Sequence, residues 1–308
     1  MAPIPCVLDC DPGHDDAIAI LLAASLPELD LRAITTVGGN GTLERTTENA
    51  RRVAALAGLS VPIAAGAAGP LHGALVTAPD VHGQTALDGP ELPEATAPLD
   101  PRHAVELLAD VLAGAAEPVT VIATGPLTNV ALLLRRGPAV RERIAEIVLM
   151  GGSTGRGNTT PAAEFNIYVD PEAADEVFTS GLPLRMVGLN LTHQALATDA
   201  VRERIRALGT ELGRIADEWL GFFAGTYRSL YGLDGPPVHD PCAVAWLAHP
   251  DIVTAAETFV AIETDGRWTR GATVVDLYGR LGRPPNARVG MELDRERFWD
   301  LVLAALDR

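Results

Sequence analysis

The alternation of short, β-branched apolar runs with longer amphipathic segments is the feature that most constrains this chain. The predicted strands are Cys6–Cys10, Leu31–Val37, Val119–Ala123, Glu146–Met150 and Leu184–Leu189. The predicted helices between them are Asp15–Leu26, Thr42–Ala57, Arg102–Ala113, Leu127–Leu134 and Pro171–Ser180. Such alternation is typical of right-handed strand–helix–strand crossovers. We therefore predict an α/β fold with a mostly parallel central sheet and helices on both faces.

Length and composition allow either one large domain or two small ones. The chain has 308 residues, of which 47% are hydrophobic, enough to bury a sizeable core. The strand–helix pattern has no visible break and no internal repeat. We therefore expect a single domain over residues 1–308.

Charge, cysteine content and hydropathy exclude several classes of function. The formal net charge is −16, and such an acidic chain repels a nucleic-acid backbone. Cys6, Cys10 and Cys242 lack the spacing of a disulfide framework or a zinc site. No stretch reaches the roughly 18 apolar residues of a membrane span, and the first nine residues lack a signal-peptide pattern. We expect a cytoplasmic protein that contacts neither nucleic acid nor membrane.

Polar residues are concentrated where the predicted strands end. The strand-end loops are Asp9–Asp16, Thr36–Gly41, Ala123–Asn129 and Met150–Asn166, all rich in Gly, Asp, Asn and Thr. Ligands of parallel sheets bind beyond the carboxyl ends of the strands, so these loops are expected to form the site. Two further segments, Gly66–Pro101 and Gly221–His239, are predicted to be mobile loops over it.

The first strand-end loop holds four carboxylates in eight residues, namely Asp9, Asp11, Asp15 and Asp16. Clustered carboxylates repel one another unless a cation or protons compensate. Such hard oxygen ligands suit Ca²⁺ or Mg²⁺. Helix capping is the other explanation for Asp15 or Asp16, but it leaves Asp9 and Asp11 unexplained. The cluster therefore predicts a metal or catalytic site.

Two other acidic motifs fit this loop less well. In an EF-hand that starts at Asp9, the sixth position would be His14 instead of glycine and the twelfth Ile20 instead of glutamate. A magnesium-dependent phosphohydrolase of the haloacid dehalogenase type also begins with a strand and an Asp-x-Asp pair, as in Asp9 and Asp11. That chemistry needs a lysine for the phosphate charge, and the sequence contains none. The phosphohydrolase remains an alternative hypothesis.

Seven short motifs, in order along nearly the whole chain, resemble those of the inosine-uridine-preferring nucleoside hydrolase family. They are Asp9–Ala17, Thr35–Asn40, Thr124–Asn129, Val148–Gly152, Ala163–Asn166, Leu191–Thr198 and Val238–Ala243. The resemblance implies the nucleoside hydrolase fold. It also implies an enzyme of nucleoside catabolism and salvage that cleaves the N-glycosidic bond of purine or pyrimidine ribonucleosides with water.

The resemblance also implies a calcium ion at the bottom of the pocket. Its ligands would be Asp11, Asp16, Asp240 and the backbone carbonyl of Thr124, with the remaining positions left for water and ribose. Carboxylates and a carbonyl form a hard oxygen site that leaves room for substrate. By the same resemblance, Asp15 is the base that takes a proton from the attacking water.

Substrate contacts are likewise implied by similarity. Asn40, Glu164 and Asn166 match residues that hold the ribose hydroxyls, although Asn166 could equally be a turn residue. His82 matches a histidine near the base, with a purely structural histidine as the alternative. His239 matches the proton donor to the leaving base, because an ordinary histidine pKa near 6.5 suits that role.

The expected partners are a small-molecule nucleoside and further copies of this chain, as a homo-dimer or homotetramer. A non-catalytic nucleoside-binding protein of the same fold is the second alternative hypothesis. The motifs assign no role to Asp9, His193, Tyr227 or Tyr231. They also leave the preference between purine and pyrimidine bases open.

Overall fold

An eight-stranded sheet runs through the computed structural model, which describes residues 2–95, 97–231 and 233–308, without the side chains of residues 226 and 228–231. The strand order is β3-β2-β1-β4-β5-β6-β10-β7, parallel throughout except for the β10–β7 pair at one edge. The strands of this sheet are β1 Ile4–Cys10, β2 Leu29–Thr36, β3 Ile63–Ala65, β4 Val119–Ala123, β5 Ile144–Met150, β6 Leu184–Val187, β7 Val253–Thr258 and β10 Ala287–Leu293. Strands β8 Val260–Ile262 and β9 Thr273–Val275 form a separate antiparallel pair.

Helices connect the strands and cover the sheet. Those of the first half are α1 His14–Ser25, α2 Leu43–Leu56, α3 Pro79–His82, α4 Ala104–Gly114, α5 Thr128–Leu134 and α6 Pro138–Arg141. Those of the second half are α7 Phe165–Val169, α8 Pro171–Phe178, α9 Leu189–Thr192, α10 Asp199–Ala207, α11 Glu211–Tyr231, α12 Pro241–Ala248 and α13 Arg295–Leu306. A 3₁₀ turn, Pro250–Ile252, precedes β7.

Both faces of the sheet are buried, which explains the continuous apolar runs of the central strands. Neighbouring residues of one strand enter opposite cores, because side chains alternate along a strand. Val7 belongs to the core that contains α4, α5 and α8, and Leu8 to the core that contains α1, α12 and α13. The predicted class, a single α/β domain with helices on both faces, is thereby confirmed.

The predicted elements lie where expected, with their ends moved by up to two residues. The sequence missed β3, β7 and β10, and with them the antiparallel edge of the sheet. The prediction of a loop over Gly221–His239 was wrong for its first half, because α11 continues to Tyr231. The buried residues Trp219, Phe223 and Tyr227 recur every four positions there, which is the helical signal that the loop assignment overlooked.

The segment Gly66–Pro101 follows the prediction more closely. In its described part, residues 66–95 and 97–101, the only helix is the short α3. Among the described residues, no helix combines the length and the apolar character needed to cross a bilayer.

Candidate active site

The carboxyl ends of β1, β2, β4 and β5 open into a cavity of about 250 Å³. Eight of the ten residues predicted for the site line it: Asp15, Asn40, His82, Thr124, Glu164, Asn166, His239 and Asp240. The other two, Asp11 and Asp16, are fully buried beside them. Loops far apart in the sequence thus meet at one edge of the sheet, where parallel α/β proteins bind ligands.

The floor of the cavity is a buried cluster of carboxylates. One oxygen atom from each of Asp15, Asp16 and Asp240 lies within 4.8 Å of the others. Burial and mutual repulsion raise the pKa of Asp15 to about 7 and that of Asp240 well above its ordinary value. A cation would favour the ionised carboxylates and relieve this repulsion, so the cluster can hold a metal ion.

Asp11, which follows the end of β1, adds a fourth carboxylate to the cluster. Its side chain fits there because the neighbouring residues Gly39 and Gly125 have no Cβ. A Cβ on Gly39 would lie 2.0 Å from Asp11 Oδ2, and one on Gly125 would lie 2.7 Å from Asp11 Oδ1. Asp11 Oδ2 accepts a hydrogen bond from the Asn40 backbone N–H at 2.7 Å. Its buried Oδ1 has no hydrogen-bond partner among the described residues, which is the situation expected of an oxygen that faces a cation.

Asp16 is oriented by neighbours on both sides. The Thr124 hydroxyl donates to Asp16 Oδ1 at 2.8 Å, and the Gly13 N–H donates to Oδ2 at 3.1 Å. The Thr124 carbonyl accepts a hydrogen bond from Asn166 Nδ2 at 2.7 Å. That carbonyl keeps a second lone pair, so it can accept one further interaction.

Glu164 caps the short helix α7 and is held rigidly. Its carboxylate accepts N–H donors from Gly152 at 2.8 Å, Asn166 at 3.0 Å and Ile167 at 3.2 Å. Burial still raises its pKa to about 7, against the opposing effect of these donors. Glu164 therefore also fixes the backbone that carries Asn166, the neighbouring residue predicted to contact the ribose.

A model of the inosine-uridine preferring nucleoside hydrolase family matches residues 6–300 of the chain. The chain belongs to this family. It is 50% identical over 305 residues to the pyrimidine-specific ribonucleoside hydrolase RihA of Escherichia coli O7:K1, with 98% of each chain covered. It is therefore a ribonucleoside hydrolase, an enzyme that cleaves N-glycosidic bonds.

Solved structures agree with this family membership. The purine-preferring ribonucleoside hydrolase from Gardnerella vaginalis superposes with a TM-score of 0.91 at 30% identity and 98% coverage of each chain. The plant nucleoside hydrolase PpNRh1 superposes with a TM-score of 0.91 at 32% identity and 99% coverage of each. The hydrolase thus shares its fold, over nearly its full length, with solved nucleoside hydrolases.

The upper part of the hydrolase cavity contains His239, in contact with two hydroxyls. Thr192 Oγ1 lies 2.7 Å from Nδ1, and the Tyr227 hydroxyl lies 3.0 Å from Nε2. Burial, with a smaller contribution from His193, lowers the pKa of His239 to about 3. The prediction assumed an ordinary pKa near 6.5. That assumption was wrong, because packing against α11 removes the ring from water and leaves it neutral at neutral pH.

His82 belongs to an aromatic cluster between α1, α3 and α11. Its ring stacks on His14 at a centroid distance of 5.3 Å and contacts Phe223 at 5.2 Å. Burial lowers its pKa well below the ordinary value. The motifs did not assign His14 or Phe223 to the site, and only the four-residue spacing of aromatic residues along α11 points to Phe223.

The residues that the motifs left without a role lie at different depths. Asp9 lies below the cavity, where Thr35 Oγ1 and Asn129 Nδ2 donate to its Oδ1 at 2.6 and 2.8 Å, and burial raises its pKa to about 7. The exposed His193 has its ring centroid 5.9 Å from that of His239. The Tyr231 side chain lies outside the described residues.

Proposed function

We propose that the hydrolase acts on pyrimidine ribonucleosides, uridine and cytidine, and releases ribose and the free base. The supporting comparison is the 50% identity to a pyrimidine-specific relative, against 30% to a purine-preferring one. The supporting geometry is a single cavity whose lining combines the carboxylates of Asp15, Glu164 and Asp240 with the rings of His82 and His239. Such a cavity is polar in the ways that ribose and a base require.

The proposed cofactor is Ca²⁺, held by Asp11, Asp16, Asp240 and the Thr124 carbonyl. The donor set is entirely oxygen, and the unpartnered Asp11 Oδ1 leaves a carboxylate atom free for an ion. When bound, the ion would lower the pKa of a water molecule at the sugar. The chain itself preorganises the ligands, because Gly13, Asn40 and Thr124 already orient their oxygens.

Asp15 is proposed as the base that removes a proton from the attacking water. Its carboxylate lines the cavity, whereas Asp11 does not. The His239 backbone N–H donates to Asp15 Oδ2 at 3.2 Å, which fixes the carboxylate relative to His239. Asp11 is the other candidate for the base, because its Oδ1 has no partner among the described residues.

The ribose is proposed to contact Asn40, Glu164 and Asn166. The side-chain amide of Asn40 donates to the Asp11 carbonyl at 3.2 Å, and that of Asn166 donates to the Thr124 and Met150 carbonyls at 2.7 and 3.1 Å. These bonds hold the amides in one orientation before substrate arrives. Preorganised contacts of this kind favour a distorted, oxocarbenium-like sugar over the ground state.

Departure of the base is proposed to depend on His239 together with Tyr227. Since the ring is neutral at neutral pH, it is a hydrogen-bond partner rather than a stored imidazolium. The Tyr227 hydroxyl lines the same cavity and is 3.0 Å from Nε2. The pair can direct an N–H or O–H donor at the negative charge that develops on the departing base.

The location, the metabolic role and the assembly of the enzyme are proposed from the family membership. We place the enzyme in the cytoplasm, in nucleoside catabolism and salvage, and propose a homo-dimer or homotetramer. Sedimentation equilibrium would give a mass of two or four times 32.3 kDa, and a monomer at micromolar concentration would contradict the assembly.

Turnover of four nucleosides tests the proposal. With calcium present, kcat/KM for uridine and cytidine should exceed that for inosine and adenosine by at least about tenfold, the scale of one well-placed contact. Free ribose is the readout, and a chelator should abolish it. Equal or faster turnover of inosine would contradict the base preference. Full activity after chelation would show that the reaction does not need the metal. Release of phosphate from simple phosphate esters would favour the phosphohydrolase alternative.

A further inference from the structure

His82 Nδ1 lies against two different groups of one residue, His14. His14 Nδ1 lies 3.1 Å from it, and the His14 backbone N–H points at it from 3.3 Å. The Gly13 backbone closes the same side, since a Cβ there would lie 2.5 Å from His82 Nδ1. The other ring nitrogen, His82 Nε2, has no hydrogen-bond partner among the described residues, so it is the nitrogen left for a ligand in the cavity.

The hydrogen on His14 is fixed by a backbone carbonyl. His14 Nε2 lies 2.8 Å from the Asp88 oxygen. A carbonyl oxygen only accepts, so Nε2 must carry the hydrogen. The His14 ring is fully buried and stacks on the rings of His82 and Phe222, surroundings that favour the neutral imidazole, which has a single N–H. His14 Nδ1 is consequently an acceptor.

His82 Nδ1 therefore meets an acceptor and a donor at nearly equal distances. If Nδ1 carries the hydrogen, it donates to the His14 ring, and Nε2 becomes an acceptor. If Nδ1 is bare, it accepts from the His14 amide, and Nε2 becomes a donor. Each tautomer satisfies one contact and leaves the other unfavourable, so the two lie close in free energy.

Uracil and cytosine also differ by an exchange of hydrogen-bond donor and acceptor. At N3 uracil offers a donor and cytosine an acceptor, and at position 4 the polarities are reversed. A site with one fixed donor or acceptor on that edge would match only one of the two bases. A histidine that exchanges its tautomer at little cost matches both.

We infer that His14 is a positioning residue that allows His82 to present either a donor or an acceptor to the base, so that one cavity takes both uridine and cytidine. This inference rests on the proposed pyrimidine specificity. It adds a residue that touches no substrate and acts only through the nitrogen of its neighbour.

Two substitutions at position 14 separate this role from simple packing. His14→Gln keeps an N–H at the reach of the Asp88 carbonyl but removes the ring acceptor. His14→Asn keeps an oxygen at the Nδ1 position but loses the contact with Asp88. Both keep the backbone N–H. Phe222→Leu is the matched packing control, because Phe222 stacks on the His14 ring at 5.0 Å and is 39% exposed.

The ratio of kcat/KM for uridine to that for cytidine is the kinetic readout. In His14→Gln, His82 is held with its hydrogen on Nε2, and the ratio should change by about tenfold or more because one base then faces an unmatched partner. The direction of the change in this ratio shows which atom of the base contacts His82. A lower kcat/KM for cytidine indicates position 4, and a lower kcat/KM for uridine indicates N3. His14→Asn and Phe222→Leu should keep the ratio within about threefold of the unmodified enzyme.

A spectroscopic measurement on the unmodified enzyme tests the same inference without any risk of misfolding. The probes are 2′-deoxy-2′-fluorouridine and 2′-deoxy-2′-fluorocytidine, in which the fluorine slows cleavage. In ¹⁵N-histidine-labelled enzyme, the His82 signals, assigned by comparison with His82→Gln, should report opposite tautomers in the two complexes. The same tautomer in both complexes would overturn the inference.

The outcomes also separate this inference from the proposed function. If the unmodified enzyme turns over neither pyrimidine nucleoside, the proposed function fails. If it turns over both but His14→Gln leaves their ratio unchanged, the inference fails alone. Turnover of only one of the two pyrimidines would also overturn the inference while leaving the hydrolase activity intact.

Discussion

Asp15 and His239 lie far apart in the sequence, yet one hydrogen bond joins them in the lining of the cavity. The His239 N–H donates to Asp15 at 3.2 Å, over a sequence separation of 224 residues. The two side chains have different tasks in the proposed reaction, one at the water and the other at the base. Substrates with different leaving groups can therefore separate them.

Two variants and two substrates provide that test. Asp15→Asn should lower kcat by at least about 100-fold on both uridine and a nitrophenyl riboside, because both reactions need the water deprotonated. His239→Ala should lower kcat/KM far more on uridine, since the nitrophenyl group leaves without help. Steady-state kinetics with both substrates measures this, with His103→Ala, at the cap of α4, as the control.

Two results would contradict these assignments. If His239→Ala lowered kcat/KM equally for both substrates, His239 would have no part in the departure of the base. A higher KM with unchanged kcat in Asp15→Asn would make Asp15 a ribose ligand and leave Asp11 as the base. The motifs predicted roles for Asp15 and His239, but they assigned none to Tyr227 or to His14 and Thr192, which lie inside two of the motifs. Those three contact other side chains of the site, and although the four-residue spacing along α11 indicates that Tyr227 is buried, it does not show which residue Tyr227 contacts.

At the scale of elements, the sequence predicted the buried strands well and the edges poorly. Strands β1, β2, β4, β5 and β6 are apolar runs because helices cover both faces. Strand β3 has only three residues, and β10 carries the exposed Arg288 and Glu292 among its buried positions. Such short or half-exposed strands give a weak pattern, so their pairing depends on tertiary contacts that the sequence does not display.

Asp170 shows how one residue joins several elements. Its carboxylate accepts from Ala173 N at the start of α8 at 3.1 Å, from the Thr128 hydroxyl of α5 at 2.6 Å and from Leu71 N at 2.8 Å. Asp294 is a suitable comparison. Its carboxylate caps α13 by accepting from Arg297 N at 3.2 Å, and the residue is exposed to solvent. Asp294 is thus a helix cap alone, whereas Asp170 is a helix cap that also binds α5 and the Leu71 backbone.

Alanine substitutions should therefore differ in cost. Asp294→Ala should lower the free energy of unfolding by about 1 kcal/mol, the usual value of an N-cap. Asp170→Ala should lower it by about 2 to 4 kcal/mol, because two further buried hydrogen bonds lose their acceptor. Urea denaturation followed by circular dichroism measures both. Similar losses in the two variants would show that the contacts with Leu71 and Thr128 contribute little.

At the scale of the whole molecule, a chain of net charge −16 buries five aspartates at one edge of its sheet: Asp9, Asp11, Asp15, Asp16 and Asp240. Burial raises the pKa of every one of them, to about 7 for Asp9 and Asp15. In the unfolded chain the same groups titrate near 3.9. Without a cation, the folded state therefore binds more protons than the unfolded state between these values.

The sign of the pH dependence follows from that difference. Because the unfolded state binds fewer protons, metal-free stability should fall as pH rises from about 4 to about 7. Calcium at 100 times its Kd should restore about 2.7 kcal/mol at pH 7.5, and less at pH 5, where protons compete for the ligands. Calorimetry with chelator or calcium, at both pH values, measures this. Asp240→Asn should weaken the calcium response. A melting temperature that calcium leaves unchanged at pH 7.5 would contradict the proposed cofactor at this site, whatever the activity of the enzyme.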